Sequence, residues 1–117
     1  MYHLFISTLF LLNFSNSKVA WEGPTELDLG KIALHQTQQL EFRFKNISPS
    51  PLIIDNVRTS CGCTVADWDS TPIAPDSTGV IKVEYDARDP GYFYKKIKVY
   101  FNGQRKAEVL SIEGETI

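Results

Sequence analysis

Acidic and basic residues are missing from the first seventeen positions, and the whole chain holds only two cysteines, two histidines and one methionine. Each scarcity excludes something. Two cysteines separated by a single residue cannot form the far-apart pair that staples the two sheets of an antibody domain, nor a multi-bridge framework. With one nitrogen donor, His35, beyond the leader described below, a closed four-ligand zinc site within one chain is not expected. The formal charge of −2 provides no basic excess, so nothing steers the chain to nucleic acid or to an acidic membrane surface. No stretch carries a convincing helical period, and no Gly-x-Ser-x-Gly elbow, phosphate-binding loop or paired catalytic acids occur. No catalytic residue, metal or cofactor is therefore expected.

What is present describes a small β-rich protein. The 117 residues are 43% apolar and 22% charged, and Val, Ile, Phe, Tyr and Thr crowd the second half, a composition that folds as one domain. Leu4 to Phe14 is an apolar run with the length of a signal-peptide core and too short to span a bilayer, and Ser15 and Ser17 place small residues where a signal peptidase cuts. Residues 1–17 read as a signal peptide and 18–117 as the mature domain, destined for the periplasm, cell envelope or extracellular space. The leader's positive charge would come from its free amino terminus alone, because Met1-Tyr2-His3 has no Lys or Arg. No cysteine follows the apolar run to carry a lipid, and no transmembrane segment is expected in the mature chain.

Period-two alternation marks the strands. In Leu40-Glu41-Phe42-Arg43-Phe44-Lys45 the apolar side chains share one face and the charges the other. Ile81 to Asp86 repeats this pattern, and Tyr92 to Phe101 forms a long strand with Phe93, Ile97, Val99 and Phe101 in register. Leu52 to Arg58 is a further strand that leads into the cysteines, Thr64 to Asp69 a short one, and Lys106 to Ile112 the last. Val19 to Gly30 reads as one opening edge strand interrupted at Gly23-Pro24. Asn46 to Pro51 and Pro72 to Gly79 are turns, and Asn102-Gly103 is a hairpin signal. About seven strands separated by regular turn signals predict an all-β, immunoglobulin-like sandwich, with Leu40, Phe42, Phe44, Ile54, Ile81, Val83, Ile97, Val99, Leu110 and Ile112 in its core.

Read in order, Phe42-Arg43-Phe44-Lys45-Asn46, Pro51-Leu52-Ile53-Ile54, Ser60-Cys61-Gly62-Cys63-Thr64, Pro72-Ile73-Ala74-Pro75, Ile81-Lys82-Val83 and Gly91 to Ile97 carry a family pattern. The chain resembles domain of unknown function 1573, found in exported proteins of Bacteroidetes, across nearly its whole length after the leader. One turn departs from the usual Pro-Gly, reading Pro75-Asp76 here. The resemblance implies an immunoglobulin-like fold similar to domains of the abnormal-spindle and hydin proteins, and it brings no established activity with it.

Two groups of residues are candidates for function. Cys61 and Cys63 fall on one face of an extended strand, near the upper distance for a disulfide, and Gly62 allows the bend that would close one. A ring so small is readily reduced, the character of a redox pair, and Arg58 would supply a nearby positive charge. The alternative is two small side chains buried at a strand end. Tyr92, Tyr94, Lys96, Lys98 and Tyr100 form an aromatic and basic stripe on the face opposite Phe93, Ile97 and Val99, suited to a protein or glycan surface and equally to an ordinary wet sheet face. Asp67 and Asp69 would bind calcium only with help from loop carbonyls, and solvated carboxylates are the simpler reading. Asn46-Ile47-Ser48 matches a glycosylation acceptor, which the bacterial distribution of the resembled family makes a chance match. The expected function is a non-catalytic, protein-binding or assembly module of the cell envelope; the alternative is a thiol-disulfide or metal-handling protein using Cys61 and Cys63.

Overall fold

The computed structural model describes residues 17–117; the predicted leader core, Leu4 to Phe14, lies outside the described residues. Eight strands form in chain order: β1 (Val19–Trp21), β2 (Glu26–Ile32), β3 (Gln38–Asn46), β4 (Ile54–Thr59), β5 (Thr64–Trp68), β6 (Thr78–Tyr85), β7 (Gly91–Phe101) and β8 (Glu108–Thr116). They make two four-stranded sheets, β1-β3-β6-β5 and β2-β8-β7-β4, packed as an immunoglobulin-like sandwich. No helix among the described residues is long and apolar enough to cross a membrane.

The alternation read from the sequence sets which face each strand buries. Phe42 and Phe44 on β3, Ile81, Val83 and Tyr85 on β6, Phe93, Ile97, Val99 and Phe101 on β7, and Leu110 and Ile112 on β8 all point into the space between the sheets and are buried. Leu40 is half-buried at the margin of that core. Aromatic rings tie the layers together. Phe44 meets Phe101 of the opposite sheet edge-to-face at 5.1 Å, and Tyr85 stacks on Phe93 at 4.4 Å. Burial pushes the Tyr85 phenol above its usual pKa.

Three expectations change at the strand ends. Val19 to Gly30 is two strands, because Gly23, at φ 117°, turns the chain out of one sheet and into the other. β1 pairs antiparallel with β3, while β2 runs parallel to β8, so the opening segment supplies an edge to each sheet. Asn102-Gly103 does not close a two-residue hairpin. The Asn102 side-chain oxygen accepts from the Ile53 amide at 2.6 Å and its backbone amide donates to the Ile53 carbonyl, so Asn102 fastens the start of β4, and the connection runs on to Glu108. Leu52 stands outside β4, joined to Ile73 by an isolated bridge.

Candidate functional site

β4 and β5 are edge strands of different sheets, and Ser60 to Cys63 is the turn that carries the chain between them. Within it Cys61 and Cys63 are joined by a disulfide, with Cα atoms 5.4 Å apart. The turn holds its shape through bonds of its own: the Thr59 hydroxyl, within reach of both carbonyls, donates to Thr64 (3.0 Å) or Cys61 (3.3 Å), the Thr64 amide donates to the Cys61 carbonyl, and the Asp86 amide donates to the Cys63 carbonyl at 3.0 Å. The two sulfurs are unlike. Cys61 is half-exposed and its Sγ accepts from the Cys63 amide at 3.3 Å, whereas Cys63 is 8% exposed and packs in the core.

The cation at this turn is not Arg58. That side chain lies on the outer face of β4, its guanidinium 5.8 Å from the Tyr100 ring centroid. Arg88 takes the place instead, donating to the Gly62 carbonyl at 3.5 Å while paired with Asp86 at 2.8 Å. The Arg88 hydrogen bond holds the exposed Asp86 carboxyl below its usual pKa. Arg88 is invisible from the local motif; the pairing of Thr64 with Tyr85 across β5 and β6 brings it there.

Tyr92, Tyr94, Lys96, Lys98 and Tyr100 do share the outer face of β7, away from the cysteine turn's buried sulfur. Neighbours already engage both ends of the stripe. Tyr92 donates to Glu113 at 2.9 Å, which raises its phenol pKa, and Tyr100 lies under Arg58. Asp67 and Asp69 do not form a pair: Asp67 is on β5 opposite Lys82, while Asp69 lies beyond the strand with one oxygen taken by the Thr71 amide and hydroxyl. Those bonds lower the Asp69 pKa. Among the described residues no group of three metal-binding side chains converges. Asn46 is fully buried, and its amide nitrogen donates to the carbonyls of Ser50 and Ile73, so it is no open glycan acceptor.

A surface not singled out in the sequence lies on the other sheet. Cross-strand register lines up Glu41, Lys82 and Asp67 in one row and Gln39, Glu84 and Val65 in the next, and these side chains line a shallow groove that ends at β5. Val65 at its rim is 58% exposed. The signal in the sequence was weak, since a five-residue strand with Val65 on one face and Ala66 and Trp68 on the other does not say which face is covered.

Among solved structures, the chain is similar to a protein of unknown function from Porphyromonas gingivalis, at 20% identity and TM-score 0.69 over 89% of this chain and 50% of that one. The chain therefore spans half the length of that relative. It is also similar to the ASH/PapD-like domain 7 of human CEP192, at 7% identity and TM-score 0.67, covering 90% of this chain and 91% of that one. The CupB2 chaperone of Pseudomonas aeruginosa matches at 10% identity and TM-score 0.62, over 83% and 55% of the two chains. At these identities the likeness is one of fold. No curated protein matches the sequence. The family described as protein of unknown function (DUF1573) matches residues 20–116, and the chain belongs to it.

Proposed function

We propose that this domain is a non-catalytic protein-binding or assembly module of the cell envelope, exported with removal of residues 1–17, and that it pairs with a protein partner along the β5 edge. One observation carries the reading: of the four edge strands among the described residues, β5 alone is longer than three residues and unbroken in its pairing. β1 has three residues, β2 is broken by a register shift between Asp28 and Lys31, and β4 by one between Ile54 and Asn56. Short length and bulges of this kind are how edges avoid pairing with other chains. β5 pairs in unbroken register with β6 from Thr64 to Trp68, contains no Pro or Lys, and exposes Val65. Thr64 has its amide and carbonyl taken by Cys61 and the Thr59 hydroxyl, and the outer backbone groups beyond it suit strand addition by a short extended segment running beside Val65. The resemblance in fold to a chaperone and to a PapD-like domain supports use of such a sandwich as a protein-binding scaffold.

The test places a photo-crosslinking residue at Val65, or at the exposed Val109 on the other sheet, in protein expressed in its own envelope. A discrete adduct from position 65 and none from position 109 is expected, with the intact mass of the exported chain beginning at Lys18. Adducts from position 109 alone would reject the β5 edge, and a mature chain that keeps Leu4 to Phe14 would reject export with cleavage.

A further inference from the structure

We propose that the Cys61–Cys63 disulfide is an exchange site for protein dithiols, in which Cys61 is the sulfur that a partner attacks. The inference is independent of the β5 edge. It begins from what the bridge does not do. A disulfide spanning a sequence separation of two closes so short a loop that it removes little freedom from the unfolded chain. The crossing from β4 to β5 is already fixed by the Thr59 hydroxyl, the Thr64 amide and the Asp86 amide. The bridge can therefore open without taking the turn apart.

The two sulfurs differ in the way that an exchange site needs. Thiolate attack requires access to the sulfur attacked. Cys61, packed against the margin of the core, is partly exposed, and Cys63 is buried in it. A partner thiolate bonds to Cys61 Sγ, the Cys61–Cys63 bond breaks, and its electron pair leaves on Cys63 Sγ, which takes up a proton. The partner's second thiol, deprotonated, then attacks the partner's own sulfur in the mixed disulfide, and the electron pair leaves on Cys61 Sγ. Once Cys61 Sγ takes up the second proton, two electrons and two protons have passed to this chain: the partner dithiol is oxidised to a disulfide and Cys61–Cys63 is reduced to two thiols. The Cys63 amide, aimed at Cys61 Sγ at 3.3 Å, favours the anion formed there, and Arg88 at the Gly62 carbonyl adds positive charge that Asp86 partly offsets. Run in reverse, the same geometry makes Cys61 the nucleophile and Cys63 the resolving thiol.

The experiment has two parts. Folded, oxidised protein is treated with dithiothreitol as the dithiol probe, and free thiols are counted by alkylation and mass; complete reduction without denaturant is expected. Single variants Cys63→Ser and Cys61→Ser are then reacted with 5,5′-dithiobis(2-nitrobenzoate) in native buffer. Cys61 in C63S should react at least about ten-fold faster than Cys63 in C61S, as an exposed thiol does against a buried one. Equal or reversed rates, or a wild-type bridge that dithiothreitol opens only after denaturant is added, would overturn the proposal. If C63S does not fold, Cys63→Ala presents the same Cys61 thiol for the comparison.

Discussion

Asn46 shows how much a single polar residue fixes where β3 ends. Fully buried, it accepts from the Ser48 amide and hydroxyl at 2.9 and 2.7 Å, and donates to the carbonyls of Ser50 and Ile73, both at 2.9 Å. These bonds bind the Asn46 to Pro51 turn to the Pro72 to Gly79 turn, and replacing Asn46 by Ala removes all four of them. We expect Asn46→Ala to lower stability by about 1 to 3 kcal/mol in urea unfolding, the scale of a few lost hydrogen bonds; a change within about 0.5 kcal/mol, ordinary for a surface position, would mean the network is not formed. In the sequence this residue reads as the start of a turn and as an idle glycosylation match, because the bond that ties it across to the second turn goes to Ile73, far along the chain. Arg88 escapes sequence reading for the same reason. Cys61 and Cys63, only two residues apart, are legible locally as a candidate pair.

At the scale of strands, what was legible follows from period two. An alternating segment such as Leu40 to Lys45 buries one face whichever strand it pairs with, so the core residues could be named before any pairing was known. Pairing itself is non-local. Nothing in Val19 to Gly30 says that its two halves join opposite sheets, or that β2 lies parallel to the C-terminal strand. Gly79 records one such pairing in its missing side chain. It lies opposite Phe44 on β3, and a Cβ there would collide with the Phe44 ring and with Ile73. Because Phe44 is held by Trp21 at 5.4 Å and Phe101 at 5.1 Å, it cannot swing away. Gly79→Ala should therefore destabilise by about 1 to 3 kcal/mol, as overpacking does. A neutral or stabilising effect, the usual result of replacing a strand glycine without such a contact, would contradict the close approach.

For the whole molecule, the two sheets are held by the apolar layer between them, from Phe44 and Ile81 on one side to Ile97, Phe101 and Leu110 on the other, all buried. Stability resides in that layer, and neither proposed site, the β5 edge or the cysteine turn, is needed to hold it. Fold class was legible because it depends on this layer and its alternation; the β5 edge, proposed above as a partner surface, was not, because edges differ by bulges and strand length that only the pairing reveals. The division between a structural core and a dispensable bridge is tested most directly by urea unfolding of the unmodified residue 18–117 domain in oxidised and dithiothreitol-reduced form. For so short a loop the chain-entropy contribution is no more than about 2 kcal/mol, so both forms should unfold in a single cooperative transition separated by less than that. Loss of the cooperative transition on reduction, or a separation above about 3 kcal/mol, the scale of a longer-range disulfide, would show that the Cys61–Cys63 bridge holds the sandwich together.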